Sequence, residues 1–331
     1  VEKRSKVRSR IVADQLVKLI KEADHVVIMG HRMSDLDAIG SAEGVLRICK
    51  ICDVPAVIAV RRDATLAGSL INALIAAGQE DDFIDPKGAL PIISQRTLCI
   101  VVDTYQLGLV ESREILEKCG KVAVIDHHRK GVGFIEKADL VCHEPYASSA
   151  SELVTEFLQY VGDRDDKPNR IEAEGLLSGI MLDTRDFTLH TGVRTFEAAA
   201  ALRRYGAETE HVRQLFDVSM VEYTTKARLV SEAQMYRGCA ITVSGEVAPE
   251  ARVAIAQAAN DLLTIQNVEA SFVAVQVGGG VNISARSLGA VNVQVIMEAL
   301  GGGGHQTMAA AQLKHSIHEA AHSRTPTAIA P

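Results

Sequence analysis

Asp126, His127 and His128 stand directly behind the apolar run Val122-Ala123-Val124-Ile125. A carboxylate beside two imidazoles can hold a cation or move a proton near neutral pH. The same order, an apolar run and then polar donors, occurs twice earlier. Val26-Val27-Ile28-Met29 leads into Gly30-His31-Arg32-Met33-Ser34-Asp35-Leu36-Asp37, and Leu98-Cys99-Ile100-Val101-Val102 leads into Asp103. A further acid, Asp183, closes an apolar helical stretch in Leu182-Asp183-Thr184-Arg185-Asp186. Carboxylates gathered in one place repel one another unless cations neutralise them or their pKa values rise. One such acid alone would read as a cap or turn residue, and one buried histidine as packing. Three strand ends with the same output read as a metal site. Two divalent ions about 3.5–4 Å apart and sharing a carboxylate would resolve the repulsion. Imidazole and carboxylate donors without thiolate suit Mn2+ or Fe2+ better than Ca2+ or a structural Zn2+. Such a pair clamps the attacking and leaving oxygens of an in-line displacement at phosphorus, so phosphoester hydrolysis is the expected chemistry.

The elements that must position these residues follow from hydrophobic period. Short β-branched runs at 26–29, 55–60, 98–102 and 122–125 predict strands buried on both faces. Helices are expected at 9–23, 38–50, 64–77 and 111–119, which makes this half an α/β domain with a mainly parallel sheet. In such sheets the ligand crevice lies at the carboxyl ends of the strands. Gly40, Ser41, Ala42 and Gly44 would let the second helix pack closely. Beyond Ser149 the pattern is helical (151–160, 171–182, 195–205, 208–216), and the stretch 221–236, without strand signal, reads as a connector. Strands resume at 239–243, a helix opens at Pro249, and a hairpin forms around Gly278-Gly279-Gly280. A helix at 291–300 and a strand at 308–313 complete a smaller α+β unit. The expected domains are therefore 1–206, a helical connector 207–236, and 237–331, with a cleft between the two domains. The tail from Ser316 reads as frayed helix without chemistry.

At 331 residues the chain exceeds the roughly 250–300 residues of one core. A net charge of −7, aromatics at 4% and the lack of Trp argue against tracking long nucleic acid. No run reaches the ~18 apolar residues of a membrane span, and no signal peptide is visible. Six cysteines in mostly apolar contexts suit a reduced cytoplasmic chain, and Cys49-x-x-Cys52 lies at a helix end with no second pair. The basic run Lys3, Arg4, Lys6, Arg8, Arg10 reads as a solvated helix face.

His31-x-x-x-Asp35-x-Asp37, Asp103 and Asp126-His127-His128 together resemble the DHH phosphoesterase superfamily. Gly301-Gly302-Gly303-Gly304-His305, with Ser284-Ala285-Arg286-Ser287 before it, resembles the DHH-associated C-terminal domain. The resemblance runs from about Asp24 to Leu313. Within the superfamily, the stretch Val291 to Glu298 and Asp183-x-x-x-Phe187 are similar to the catalytic module of the bacterial GdpP-type cyclic-di-AMP phosphodiesterases. Ser34 stands where many relatives have Pro. The resemblance implies that His31, Asp35 and Asp103 hold one Mn2+ and that Asp37, Asp103, His127 and Asp183 hold a second, with Asp103 bridging. It further implies that Asp126 orients His127 and that His128 faces the scissile phosphate, although spacing alone leaves open which histidine is the ligand. Hydroxide held by the two metals would then open cyclic di-AMP to linear 5′-pApA, with onward cleavage to AMP left open. It also implies other domains of a longer, membrane-anchored chain with this module in the cytoplasm.

Arg286, Ser287, Gly302, Gly303, Gly304 and His305 would bind substrate, since glycines permit close backbone approach and an arginine fork suits phosphate. Ser149 is a weaker candidate, because serines before a helix are usually caps. A nanoRNase or 3′-phosphoadenosine-5′-phosphate phosphatase shares the motifs and is the principal rival. A non-hydrolysing nucleotide sensor would lack a metal ligand, and none is missing. The expected partner is a cyclic or short linear dinucleotide, and the apolar second domain suits a homodimer.

Overall fold

The computed structural model describes residues 2–128, 133–163, 166–217, 220–247, 252–304 and 306–314. The chain folds as two compact units, residues 1–217 and 218–331. In the first, the elements in order are α1 (Glu2–Glu22), β1 (His25–Met29), α2 (Leu36–Ile51), β2 (Ala56–Ala59), α3 (Gly68–Ala76), β3 (Phe83–Ile84), α4 (Pro86–Ala89), β4 (Thr97–Val102), α5 (Arg113–Lys118), β5 (Lys121–Asp126), β6 (Leu140–His143), α6 (Ala150–Leu158), α7 (Arg170–Asp183), α8 (Val193–Arg204) and α9 (Thr209–Gln214).

Six parallel strands form a sheet in the order β3-β2-β1-β4-β5-β6. Successive residues of each central strand enter two different cores. Val26, Ile28, Ile100 and Val102 pack against α1, α2, α6 and α7, whereas Val27, Met29, Cys99 and Val101 pack against Ile115 and Leu116 of α5. That double burial explains why these strands read as continuous apolar runs. The strand order reverses between β1 and β4, the switch point where an open α/β sheet leaves a crevice at its carboxyl edge.

Helices α2 and α7 cross with almost nothing between them. A Cβ at Gly40 would lie 2.3 Å from the Gly175 carbonyl oxygen, and one at Gly44 would lie 2.6 Å from Val154 Cγ1 and 2.9 Å from Leu176 Cδ2. The small residues of α2 thus serve the close packing expected of them. Other expectations need correction. The third helix begins at Gly68 rather than Ala64, because the N–H groups of Leu66 and Ala67 turn to the Ser34 carbonyl. Strands β3 and β6 were not expected, and at two and four residues they are too short to show a period.

In the second unit, α10 (Met220–Ser231) leads to β7 (Gln234–Tyr236), β8 (Cys239–Glu246), α11 (Arg252–Leu262), β9 (Ala270–Val277), β10 (Gly280–Ser287), α12 (Val293–Ala299), β11 (Gly303–Gly304) and β12 (Met308–Leu313). The sheet order is β11-β12-β10-β9-β8-β7, and only β8 and β9 are parallel. Val273, Val275 and Val277 face α11, while Ala285, Ala309 and Ala311 face α12. The 207–236 segment is not helical throughout: it gives α9 to the first unit, and Gln234–Tyr236 pairs with β8 as an edge strand. All three of those residues are exposed, so burial leaves no strand period to read. Pro249, His305 and the tail from Ser316 lie outside the described residues.

Candidate metal centre

The carboxyl edge of the first sheet brings together every residue singled out from its strand ends. His31 follows β1 and is tied across the edge by a bridge to Val110 and by the Arg32 N–H to the Leu109 carbonyl. Asp35 is the N-cap of α2, its Oδ1 accepting from the N–H groups of Asp37 at 3.0 Å and Ala38 at 3.1 Å. Asp37, in the first turn, is fully buried. Its Oδ2 accepts the Ala150 N–H at 2.7 Å and its Oδ1 the Ser151 N–H at 2.8 Å, at the start of α6. Unpaired N–H groups and the helix dipole favour an anion there. Gly179 of α7 presses on the same carboxylate from the other side, since a Cβ there would lie 2.6 Å from Asp37 Oδ1. Asp103 leaves β4 with φ 57°, a left-handed conformation that Asp tolerates better than most residues.

His127 Nε2 lies 3.0 Å from Asp183 Oδ2, 3.3 Å from Asp103 Oδ1 and 3.7 Å from Asp37 Oδ2. His31 Nε2 lies 3.5 Å from Asp103 Oδ2 and 3.8 Å from Asp35 Oδ1. Two sets of donor atoms, one from Asp37, Asp103, His127 and Asp183 and one from His31, Asp35 and Asp103, each fall within 4.8 Å of one another. Asp103 belongs to both. A third set joins Asp103 and His127 to His128. Asp103 Oδ1 and His127 Nε2 are buried without a hydrogen bond, despite their 3.3 Å approach. A buried donor or acceptor left unpaired costs about 1–3 kcal/mol, so their convergence needs a ligand to explain it. Oxygen and imidazole donors without sulfur fit a divalent cation.

The electrostatics agree. Burial and the carboxylates of Asp103 and Asp183 push the Asp37 carboxyl well above its ordinary range. Burial also raises Asp183, against the pull of His127. Burial alone would raise Asp103, but the facing His127 and His31 bring it below the usual carboxylate range. The imidazoles carry the balancing charge: despite burial, Asp103 and Asp35 push His31 up to about 10, and Asp103 and Asp183 raise His127 well above 6.5. Protein groups alone thus balance the acids with protons, which cations would displace on binding.

Asp126 is placed differently from expectation. Its Oδ1 lies 2.8 Å from Nδ1 of His128, not against His127. Residues two apart in an extended chain share a side, while the His127 ring, whose centroid is 4.4 Å from that of His128, turns its Nε2 to Asp103 and Asp183. His128 is half-exposed, its backbone carbonyl accepts from His143 Nε2 at 2.5 Å, and Asp126 raises its pKa against the effect of burial.

The substrate candidates fall in other surroundings. Ser149 is fully buried, with its hydroxyl capping α6 through the Glu152 N–H. In the second unit, Arg286 donates from Nε to Asn260 Oδ1 at 3.0 Å and from Nη1 to Ser284 Oγ at 3.0 Å and the Ala285 carbonyl at 2.9 Å. Ser287 Oγ accepts the N–H groups of Gly289 and Val291. A Cβ at Gly302 would lie 2.1 Å from the Ala310 carbonyl oxygen, and one at Gly304 would lie 2.4 Å from Ala309 Cα, so these glycines let β11 approach β12. Gly303 has open space on its Cβ side. A trough of about 620 Å³ runs past Gly301, Gly302, Ser284 and Gln312. Sequence reasoning missed the α6 N–H pair, Gly179, His143 and the buried Glu111, whose Oε1 meets Arg61 Nε at 2.5 Å beside the His31 loop.

Comparison with known proteins fits this geometry. Residues 25–180 match the DHH family N-terminal domain, and residues 247–323 match the DHHA1 domain. The chain carries a DHH domain and a DHHA1 domain. It is 47% identical over 318 residues to the cyclic-di-AMP phosphodiesterase GdpP of Geobacillus thermodenitrificans, covering 95% of this chain and 48% of that protein. It is 42% identical over 319 residues to the cyclic-di-AMP phosphodiesterase PdeA of Listeria monocytogenes, again with 95% and 48% covered. The chain thus spans about half the length of these relatives. The bifunctional oligoribonuclease and PAP phosphatase NrnA of Thermus thermophilus is 26% identical, over 92% of this chain and 89% of that one. The fold is shared with an exopolyphosphatase-related protein from Bacteroides fragilis, at TM-score 0.79, 21% identity and 94% and 93% coverage. Among the described residues no helix is long and apolar enough to cross a membrane.

Proposed function

We propose that this DHH-domain chain hydrolyses cyclic di-AMP to linear 5′-pApA. The observation that carries the reading is Asp103, whose carboxylate is common to two clusters of hard donors at the switch point of the sheet. His31, Asp35 and Asp103 would hold one divalent cation, and Asp37, Asp103, His127 and Asp183 a second, with Mn2+ as the assigned ion. Cations held there supply Lewis-acid stabilisation of charge at phosphorus and a nucleophile near neutral pH. The chain's own contribution begins with Asp37, fixed between the α6 N–H groups and Gly179 so that its carboxylate is preorganised. Asp126 holds Nδ1 of His128, which fixes the tautomer and leaves Nε2 to carry a proton to the departing ribose oxygen. Arg286, held in place by Asn260 and Ser284, would supply fixed positive charge toward a phosphate. The 42–47% identity to cyclic-di-AMP phosphodiesterases supports the choice of substrate.

A second reading, cleavage of short linear RNA and of 3′-phosphoadenosine-5′-phosphate, is supported by the likeness to NrnA over nearly its full length. The test incubates the chain with Mn2+ and, separately, cyclic di-AMP, pApA and 3′-phosphoadenosine-5′-phosphate, with products resolved by chromatography. Rapid opening of the cyclic substrate, abolished by Asp103→Asn, is expected. An intact cyclic substrate with rapid loss of either linear one would replace the first reading by the second.

A further inference from the structure

The loop after Asp183 carries strain and exposed aromatic surface that the cation cluster does not explain. Arg185, Asp186 and Phe187 have φ values of 45°, 54° and 63°, and His190 has 49°. Positive φ is uncommon outside glycine and is an outlier for a bulky residue such as Phe. Strain of this kind gathers at ligand clamps, where the surroundings over-determine it. Here Thr184 does so: its Oγ1 accepts the Phe187 N–H at 3.0 Å, and its carbonyl accepts the N–H groups of Thr188 and Leu189, both at 2.8 Å.

What the strained turn delivers is a ring. Phe187 stacks on Phe196 of α8, with centroids 5.7 Å apart and planes 17° from parallel. Phe196 is 58% exposed, and Val193 at 59% and Leu189 at 43% extend the patch. Aromatics make up only 4% of the chain, so a stacked, solvent-facing pair is unusual in it. Phe187 lies four residues beyond Asp183, whose carboxylate touches His127 in the cluster. Flat apolar surface on the turn that follows a donor of the cluster matches the π-face of a base attached to the reacting phosphate.

We infer that Phe187 and Phe196 form a platform on which one base of the dinucleotide stacks. This rests on the proposed phosphodiesterase reading for its substrate class, but not for its test. Phe187 packs partly against the core, so the exposed Phe196 is the residue to change. Calorimetric titration of the Mn2+-loaded chain compares adenosine 5′-monophosphate with ribose 5-phosphate, which lacks the base. Wild type should prefer the nucleotide by roughly 5- to 150-fold, the worth of one base–aromatic stack. Phe196→Ala should erase most of that preference without altering ribose 5-phosphate binding, and Phe196→Trp should keep it. With a cleavable dinucleotide, Phe196→Ala should raise KM by a similar factor and leave kcat unchanged. An unchanged preference in Phe196→Ala overturns the platform, as does a loss of self-association in that variant with nucleotide binding intact, which would assign the patch to a second copy of the chain. The titration needs no turnover, so an inactive wild type would sink the phosphodiesterase reading while the platform is still judged.

Discussion

Gly179→Ala is the sharpest probe of how the fold sets the metal centre. The added Cβ would lie 2.3 Å from Ser151 Oγ, 2.6 Å from Asp37 Oδ1 and 2.8 Å from Asp37 Cα. None of these can retreat easily, because Ser151 and Asp37 are fully buried in the first turns of α6 and α2. Overpacking of this kind costs about 1–3 kcal/mol. The helix-propensity gain of Gly→Ala, about 1 kcal/mol, opposes it. If the Asp37 carboxylate swings away, it also leaves the Ala150 and Ser151 N–H groups, at about 1.5–3 kcal/mol for each charged hydrogen bond. Gly175, one turn earlier, is the internal control: a Cβ there meets Leu70 methyls at 3.3 and 3.5 Å and the Gly40 Cα at 3.8 Å, none of them under 3.0 Å. Gly175→Ala should therefore be neutral or gain up to about 1 kcal/mol from propensity. Because the propensity gain is common to both, Gly179→Ala should be less stable than Gly175→Ala by ~1–3 kcal/mol if the carboxylate stays and the site is overpacked, or by ~3–6 kcal/mol if it swings away and both hydrogen bonds are lost. Displacing a group that orients a ligand typically weakens metal affinity by ~10–100-fold. Urea denaturation of both variants, with calorimetric titration of Mn2+ into each, measures the two effects together. A Gly179→Ala chain as stable as Gly175→Ala and with wild-type Mn2+ affinity would refute the claim that α7 holds Asp37 in place.

Other perturbations test separate parts of the structure. Glu43 on α2 is buried with neither carboxylate oxygen hydrogen-bonded, and burial, with Asp82 and Glu172 against Lys50 and Arg47, pushes it up to about 8. The folded state thus keeps a proton that the unfolded chain releases near 4.5, so the contribution of Glu43 to stability falls as pH rises from about 4.5 to 8 and then levels. Glu43→Gln should remove that slope and stabilise the chain at pH 8 by on the order of 3–5 kcal/mol. Parallel wild-type and variant stability curves across this window would disprove it. Mn2+ at a hundredfold over its Kd should stabilise the wild type by about 2.7 kcal/mol, reversed by EDTA. Asp103→Asn should lose that response while keeping the local backbone, because Asn accepts the left-handed φ of 57°. A variant that still gains stability from Mn2+ would remove Asp103 from the ligand set. Arg286→Lys forfeits the fork to Asn260 and Ser284 and should raise KM for the dinucleotide about tenfold or more with kcat retained; an unchanged KM would exclude Arg286 from phosphate binding.

Much of the first unit is visible in the sequence because its determinants are local. Strands buried on both faces appear as unbroken apolar runs, and the polar residue that ends each run must lie at the carboxyl edge. His31, Asp103 and Asp126 to His128 are legible at that edge for that reason. The glycines of α2 also announce a tight helix crossing. What tertiary structure alone decides is pairing and orientation. Nothing near Asp37 in the sequence foretells that its carboxylate rests on backbone N–H groups 113 and 114 residues away, or that Gly179 closes on it. Asp126 meets His128 rather than His127 because residues two apart at a strand end share a side and His127 Nε2 is turned to Asp103 and Asp183, a choice that residue types do not express. Edge strands such as β3, β6 and β7 escape notice because they are short and partly or fully exposed. The candidate donors are written in types and spacing; their arrangement depends on long-range packing, which spacing does not encode.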